Sequence, residues 1–328
     1  MTTTLSDSRR RAMIRTALGS AIVEAMYRPG VIEIMVNPDG HLRFDILGEG
    51  RVDTCVWLLP DQVERIIRLV ASHARVEVHA SAPIVSAELP PHGDGRAGER
   101  FEGVLPPVAT APCFSIRKPA ERLYTLTDYV RDGIMGEAQA DTLRLAIDYR
   151  ANILVAGGTS SGKTTLANAL LAEMAGRDER VILIEDTREL QCPAPDSVAL
   201  RTRPGNVSMG DLVRSTLRLR PDRIIIGEVR GAEALDMLKA WNTGHPGGIA
   251  TVHANSASAA LTRIEQLVQE AVMSVPRHLI AEAIDIVVFI SGRGLDRRVS
   301  TIARVTGFEP GGAYRLVDLS PPFNVPGE

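Results

Sequence analysis

Residues 152–174 hold the stretch that most limits what this chain can fold into. Asn152-Ile-Leu-Val-Ala156 is a short apolar run that reads as a buried parallel strand. Gly157-Gly158-Thr159-Ser160-Ser161-Gly162-Lys163-Thr164 follows it, in the pattern G-x-x-x-x-G-K-[ST]. Thr165-Leu-Ala-Asn-Ala-Leu-Leu-Ala-Glu-Met174 then reads as an amphipathic helix. Strand, glycine loop and helix in that order build an anion site. Small residues let consecutive backbone N–H groups turn inward, and the helix N-terminus points at the anion. Lys163 adds positive charge for the β- and γ-phosphates of a nucleoside triphosphate, and the Thr164 hydroxyl is suited to ligate Mg²⁺. The expected phosphate contacts are Gly157, Gly158, Thr159, Ser160, Ser161, Gly162, Lys163, Thr164 and Thr165. A glycine-rich turn that binds nothing is the competing reading, and the flanking strand and helix argue against it.

The 328 residues are enough for about two domains. A hydrophobic share of 45% and a charged share of 23% are ordinary for a soluble globular protein. The net charge of -3 gives no sign of a nucleic-acid-binding surface, so direct nucleic-acid binding is not indicated. Cys55, Cys113 and Cys192 are scattered and form neither a disulfide framework nor a C-x-x-C site, which suits a reducing cytoplasm. Met1–Arg11 carries charges with no apolar stretch behind them, unlike a signal peptide. No run approaches the roughly 18 apolar residues of a membrane helix, so membrane association is expected to be peripheral or through a partner.

Periodicity divides the chain in two. Residues 12–27 read as a helix, and Ile32–Val36, Asn37-Pro-Asp-Gly40 and His41–Asp45 read as a β-hairpin. A second helix is expected over 61–74, then short β-like runs at Phe101–Leu105 and Cys113–Arg117, with an exposed loop at Pro90–Gly98. This first part reads as an α+β domain with an antiparallel sheet over 1–125. A linker is expected over 126–136, and an α/β domain over 137–328. There, strands at Val181–Ile184, Arg223–Ile226 and Gly248–His253 alternate with helices, which predicts a mostly parallel sheet covered on both faces. A strand pair is expected at Ile284–Ile290 and Val299–Val305.

Four further motifs are expected at strand ends, the edge on which open α/β sheets bind ligands. Glu185-Asp186-Thr187-Arg188-Glu189 follows Val181–Ile184, where a carboxylate holds Mg²⁺ through water or orients the attacking water; a helix cap or polar turn is the alternative. Ile224-Ile-Ile-Gly-Glu-Val-Arg-Gly231 places Glu228 after three β-branched residues, where a general base or a contact to Mg²⁺-bound water belongs. Gly244-His-Pro-Gly-Gly248 runs on to Thr251-Val-His253-Ala254-Asn255. His253 at a strand end is placed to hydrogen-bond a γ-phosphate, with His245 weighed beside it, against the reading of both as structural histidines. Phe114-Ser-Ile-Arg117-Lys-Pro119 offers Arg117, whose guanidinium suits phosphate, unless it is simply solvated.

Together these segments resemble the secretion and traffic ATPases of the type II, type IV pilus and type IV systems. GGTSSGKTT (157–165), IEDTREL (184–190), LRLRPDRIIIGEVRG (217–231) and TGHPGGIATVHAN (243–255) match in order. FEGVLPPVATAPCFSIRKP (101–119) is most similar to the conjugal-transfer TrbB-like branch of type IV secretion, and the tetracysteine element of many type II members is absent. The resemblance implies a RecA-like C-terminal domain behind a smaller α+β domain. It also implies a homo-hexameric ring, ATP and Mg²⁺ held between the two domains, and inner-membrane secretion or conjugation components as partners. The expected place is the cytoplasm, peripheral to the inner membrane. By position, the resemblance assigns Lys163 and Thr164 to phosphate and Mg²⁺, Glu228 and Glu185 to the two acidic roles, His253 to the histidine box and Arg117 to the N-terminal-domain arginine. Glu228 is favoured as the water-polarising residue and Glu185 as metal-associated. Arg201, Arg203, Arg218, Arg220 and Arg230 are candidates to complete a neighbouring subunit's site. A type IV pilus or type II motor, a nucleotide-gated scaffold with little turnover, and a DNA-translocating motor stay open as alternatives.

Overall fold

The structure, a computed structural model, describes residues 5–91, 98–119, 123–203, 205–309 and 312–320. The chain forms two compact units, Met1–Glu121 and Arg122–Glu328. In the first, helix α1 (Leu5–Tyr27) starts earlier than its apolar spacing predicts and breaks at Gly19, with φ 76° and ψ 168°. Strands β1 (Val31–Val36) and β2 (His41–Ile46) form the expected hairpin, with Val36 opposite Leu42. Strand β3 (Gly50–Trp57) extends it. Helix α2 (Pro60–Ala74) buries Val63, Ile66, Ile67, Val70 and Ala71, a stripe at helical spacing. Strands β4 (Ile84–Glu88), β5 (Arg100–Val104) and β6 (Cys113–Arg117) complete a sheet in the order β3-β2-β1-β6-β5-β4. Every neighbouring pair in it is antiparallel. The loop expected at 90–98 falls largely on residues 92–97, outside the described residues.

The second unit opens with α3 (Leu126–Arg131), which lies in the stretch read as a linker. Thr125 caps it by accepting from the Asp128 N–H, and Leu126 and Tyr129 are buried in this unit's core, so 126–136 belongs to the second unit. The further elements are α4 (Glu137–Asp148), β7 (Ile153–Gly157), α5 (Lys163–Ala172), β8 (Arg180–Glu185), β9 (Asp196–Arg201), α6 (Met209–Thr216), β10 (Arg223–Ile226), α7 (Glu233–Asn242), β11 (Ile249–His253), α8 (Ala257–Gln269), α9 (Arg277–Ala283), β12 (Ile286–Ser291), β13 (Arg298–Phe308) and β14 (Tyr314–Asp318). They form an eight-stranded sheet ordered β14-β13-β12-β7-β11-β10-β8-β9. Strands β12 to β9 run parallel, and β13 and β14 are antiparallel additions.

Alternation along the strands divides the core into two layers. Leu154, Ala156, Ile182, Ile184, Ile224 and Ile226 pack with α7 and α8, while Ile153, Val155, Val181, Leu183 and Ile225 pack with α4 and α5. A strand covered on both faces has no polar side to show, which is why β7 and the stretches Val181–Ile184 of β8 and Ile224–Ile226 of β10 are apolar runs in the sequence. The parallel register ends β7, β8, β10 and β11 on one edge, and the candidate site lies there.

Candidate active site

The loop leaves β7 at Gly157, which is paired in register with His253 of β11 and Ile290 of β12. A Cβ at Gly157 would stand 2.5 Å from Ile290 O and 2.5 Å from Ser161 Oγ, so no larger residue fits. Ser160 and Gly162 take left-handed φ values of 61° and 96°, which fold the loop back over itself. Ser161 Oγ donates to Gly158 O at 2.9 Å. Helix α5 begins at Lys163 with no side-chain cap, leaving first-turn N–H groups for an anion. Lys163 is buried and its Nζ donates to Gly158 O at 2.9 Å, while Thr164 and Thr165 are half-buried in the same turn. These residues fit a polyphosphate.

Three strand ends bring further groups beside the loop. Lys163 Nζ is 3.2 Å from His253 Nδ1, and His253 Nε2 is 2.7 Å from Glu228 Oε1. That last approach is not aligned as a hydrogen bond, and Glu228 Oε1 is buried without one. Burial, then the nearby Lys163 charge, holds the His253 imidazole below its usual pKa, with Glu228 opposing. Arg230 Nη2 pairs with Glu228 Oε2 at 2.5 Å and Nη1 lies 3.8 Å from Asp186, so Arg230 is engaged within this chain.

Glu185, at the end of β8, is 3% exposed. Its Oε1 accepts the Glu189 and Leu190 N–H groups at 2.9 and 2.8 Å, closing the 185–190 turn. Burial nevertheless pushes its carboxyl up to about 7, against those two hydrogen bonds. A Cβ at Gly227 would sit 3.1 Å from Glu185 Cγ, so the glycine before Glu228 lets the two acidic strand ends approach.

Other candidates lie elsewhere. His245 precedes β11, at the opposite end of the strand from His253, roughly 13 Å away along the strand. There its Nδ1 lies 3.3 Å from Ala240 O, so the structure does not place it at the site. The glycines beside it are also structural: a Cβ at Gly248 would meet Trp241 Nε1 at 2.0 Å, and one at Gly247 would meet Arg223 Nη1 at 2.6 Å. Arg223 is fully buried and pairs with Glu179 at 2.6 Å. Arg218 and Arg220 are exposed just before β10, at that same far edge. Arg117 is the exposed last residue of β6, in the first unit.

Two arginines outside the sequence motifs also reach the loop. Arg293 Nε donates to Thr159 O at 3.1 Å, and the Arg297 side chain packs on Gly162. Both come from the β12–β13 turn, where Gly292 has φ 75° and a Cβ would meet Asp296 O at 2.0 Å. The Gly292-Arg-Gly294 punctuation after a predicted strand was the available signal.

Comparison with known proteins places this geometry. Residues 17–297 match the family described as type II/IV secretion system protein. The conjugal transfer protein TrbB of Rhizobium radiobacter is 46% identical over 310 residues, covering 94% of each chain. A probable conjugal transfer protein TrbB of Sinorhizobium fredii is 48% identical over 300 residues, covering 91% of this chain and 90% of that protein. Among solved structures, the pilus retraction motor PilT with bound ADP shares the fold at a TM-score of 0.60 and 18% identity, over 90% of this chain and 80% of that one. The chain therefore belongs to the type II/IV secretion system protein family.

Proposed function

We propose that the chain is a hexameric ATP-hydrolysing motor of conjugative transfer or type IV secretion, working on the cytoplasmic side of the inner membrane. The observation that carries the chemistry is Glu228 Oε1, a buried acceptor without a hydrogen bond, beside the His253 ring that Lys163 contacts. A buried carboxylate oxygen in that state is a place for the attacking water. Glu228 polarises that water, Lys163 and the α5 N-terminus hold the β- and γ-phosphates, and His253 stands between Lys163 and Glu228. Thr164 and Glu185 are the residues that would hold Mg²⁺, which when bound neutralises charge between the β- and γ-phosphates. Arg117 contributes a guanidinium to phosphate. Arg201, Arg203, Arg218, Arg220 and Arg230 are the candidates for contacts across a ring, and Arg230 already pairs with Glu228 within the chain. Conjugal transfer comes from the two TrbB relatives, and no helix among the described residues is long and apolar enough to cross a membrane.

A second reading exchanges the acids. Glu185, pushed up to about 7, has the pKa of a general base at neutral pH. Single-turnover phosphate release from ATP separates the two. Glu228→Gln is expected to bind ATP and to slow hydrolysis about 100-fold, with Glu185→Gln acting mainly on the Mg²⁺ dependence. Near-normal hydrolysis in Glu228→Gln, with loss in Glu185→Gln at saturating Mg²⁺, assigns the base to Glu185 instead.

A further inference from the structure

The strand order gives the phosphate loop two distinct sides. Strands β11, β10 and β8, carrying His253, Glu228 and Glu185 at their ends, lie on one side of β7, and β12 lies on the other. The acids and the histidine therefore mark the side of the terminal phosphate. A nucleotide oriented that way sends its nucleoside end toward the β12–β13 turn.

What waits there is chemically unusual. A Cβ on Gly162 would be 2.9 Å from Arg297 Nε, 3.0 Å from Cζ and 3.2 Å from Cδ, so the flat end of the side chain lies along the backbone of the loop's last glycine. Arg297 Nε is buried and has no hydrogen-bond partner among the described residues. Its neighbourhood includes Tyr129, whose hydroxyl is also buried without a partner and whose titration feels the Arg297 charge. The Tyr124 ring packs edge-on against Tyr129, 5.9 Å between centroids, and the adjoining Leu123 is 42% exposed. An arginine placed only for stability would be expected to find a carboxylate or carbonyl for that nitrogen. Arg293 differs, because its Nε is used on Thr159 O.

We propose that Arg297 is a nucleoside-binding residue, its guanidinium forming the platform on which the nucleotide base stacks, and that Arg293 is a positioning residue for the loop. Arginine suits this use because a planar, weakly hydrated cation attracts a π face. The inference rests on the reading of the loop as the ATP site. It adds a contact to the base end of the nucleotide, which a loop that grips phosphates leaves unread.

Calorimetric titration of the full-length chain with Mg-ATP and, separately, with inorganic tripolyphosphate tests it, because the second ligand has the phosphates and no base. Arg297→Ala is expected to weaken ATP binding about tenfold and to leave tripolyphosphate within about twofold of wild type. Arg297→Lys keeps the charge without the flat face and is expected to recover less than half of the loss in logarithmic terms; if the alanine variant does not fold, the lysine variant carries the same comparison. Arg293→Ala is expected to weaken both ligands alike. Equal loss of both ligands in Arg297→Ala reduces Arg297 to a brace of the loop and overturns the proposal, as does no loss of either. Wild-type protein that binds neither ligand overturns the reading of the loop itself, and this inference with it.

Discussion

Lys163 and His253 stand 3.2 Å apart, Nζ to Nδ1, where the helix after β7 meets the end of β11. An ammonium only donates, so Nδ1 is the accepting nitrogen and the ring proton of the neutral imidazole sits on Nε2. Lys163 can thus stay charged against a neutral ring, ready to turn to phosphate.

That pairing has a pH consequence. The His253 pKa is lowered in the fold, so its stabilising effect is present above the usual imidazole pKa and is lost as pH falls through the lowered value. His253→Gln should lose less stability than wild type between pH 7 and 5 in nucleotide-free urea melts. The side chain is 46% exposed, so the difference should stay below about 1 kcal/mol. A larger acid loss in the variant would contradict the lowered His253 pKa.

Glu185 works in the opposite direction. Its folded pKa, about 7, lies above the ordinary 4.5, so the native protein holds a proton that the unfolded chain releases. The Glu185 contribution is therefore full below pH 4.5, is lost as pH rises from there through 7 and levels off above, by an amount on the order of 3 kcal/mol. Glu185→Gln keeps an oxygen for the Glu189 and Leu190 N–H groups and should flatten the slope between pH 5 and 8. An unchanged slope would place the titrating group elsewhere.

Gly157→Ala should fail sterically, because its Cβ would stand 2.5 Å from a backbone oxygen of β12. Overpacking of this kind costs about 1–3 kcal/mol and should weaken nucleotide binding by displacing the loop. Gly158→Ala is the control, since nothing lies within 4 Å of its Cβ. Equal behaviour of the two variants in thermal melts would rule out the packing explanation.

His245 and His253 should separate cleanly in a steady-state ATPase assay. His245→Ala should stay within about twofold of wild type, since the residue sits at the far end of β11, and His253→Ala should fall by about tenfold or more. A comparable loss for His245→Ala would show that the far edge of the sheet feeds back on the loop.

The parts visible in the sequence were those with strong local causes. Apolar runs gave β7, β8 and β10, because strands buried on both faces have one kind of residue to use. Edge strands β3 and β9 were invisible because most of their side chains face solvent and none is buried, so the pattern is weak. Helix α3 was hidden in six residues whose burial depends on Tyr129 and Leu126 meeting a distant part of the chain. At the site, Lys163, Glu228, Glu185 and His253 lie beside the expected strand ends. His245 was drawn in by its neighbours in sequence, and only tertiary structure shows that a whole strand separates them. Arg293 and Arg297 were missed for the converse reason: they are 136 and 140 positions from Gly157, and parallel pairing of β12 with β7 is what joins them.

The most direct measurement of the central claim is ATP hydrolysis by Lys163→Ala, with folding verified by its circular dichroism and thermal melt. Removing the loop's ammonium should lower the turnover rate by about 100-fold or more while the melt stays within a few degrees of wild type. Undiminished phosphate release from a correctly folded Lys163→Ala protein would contradict the assignment of this loop as the site of hydrolysis.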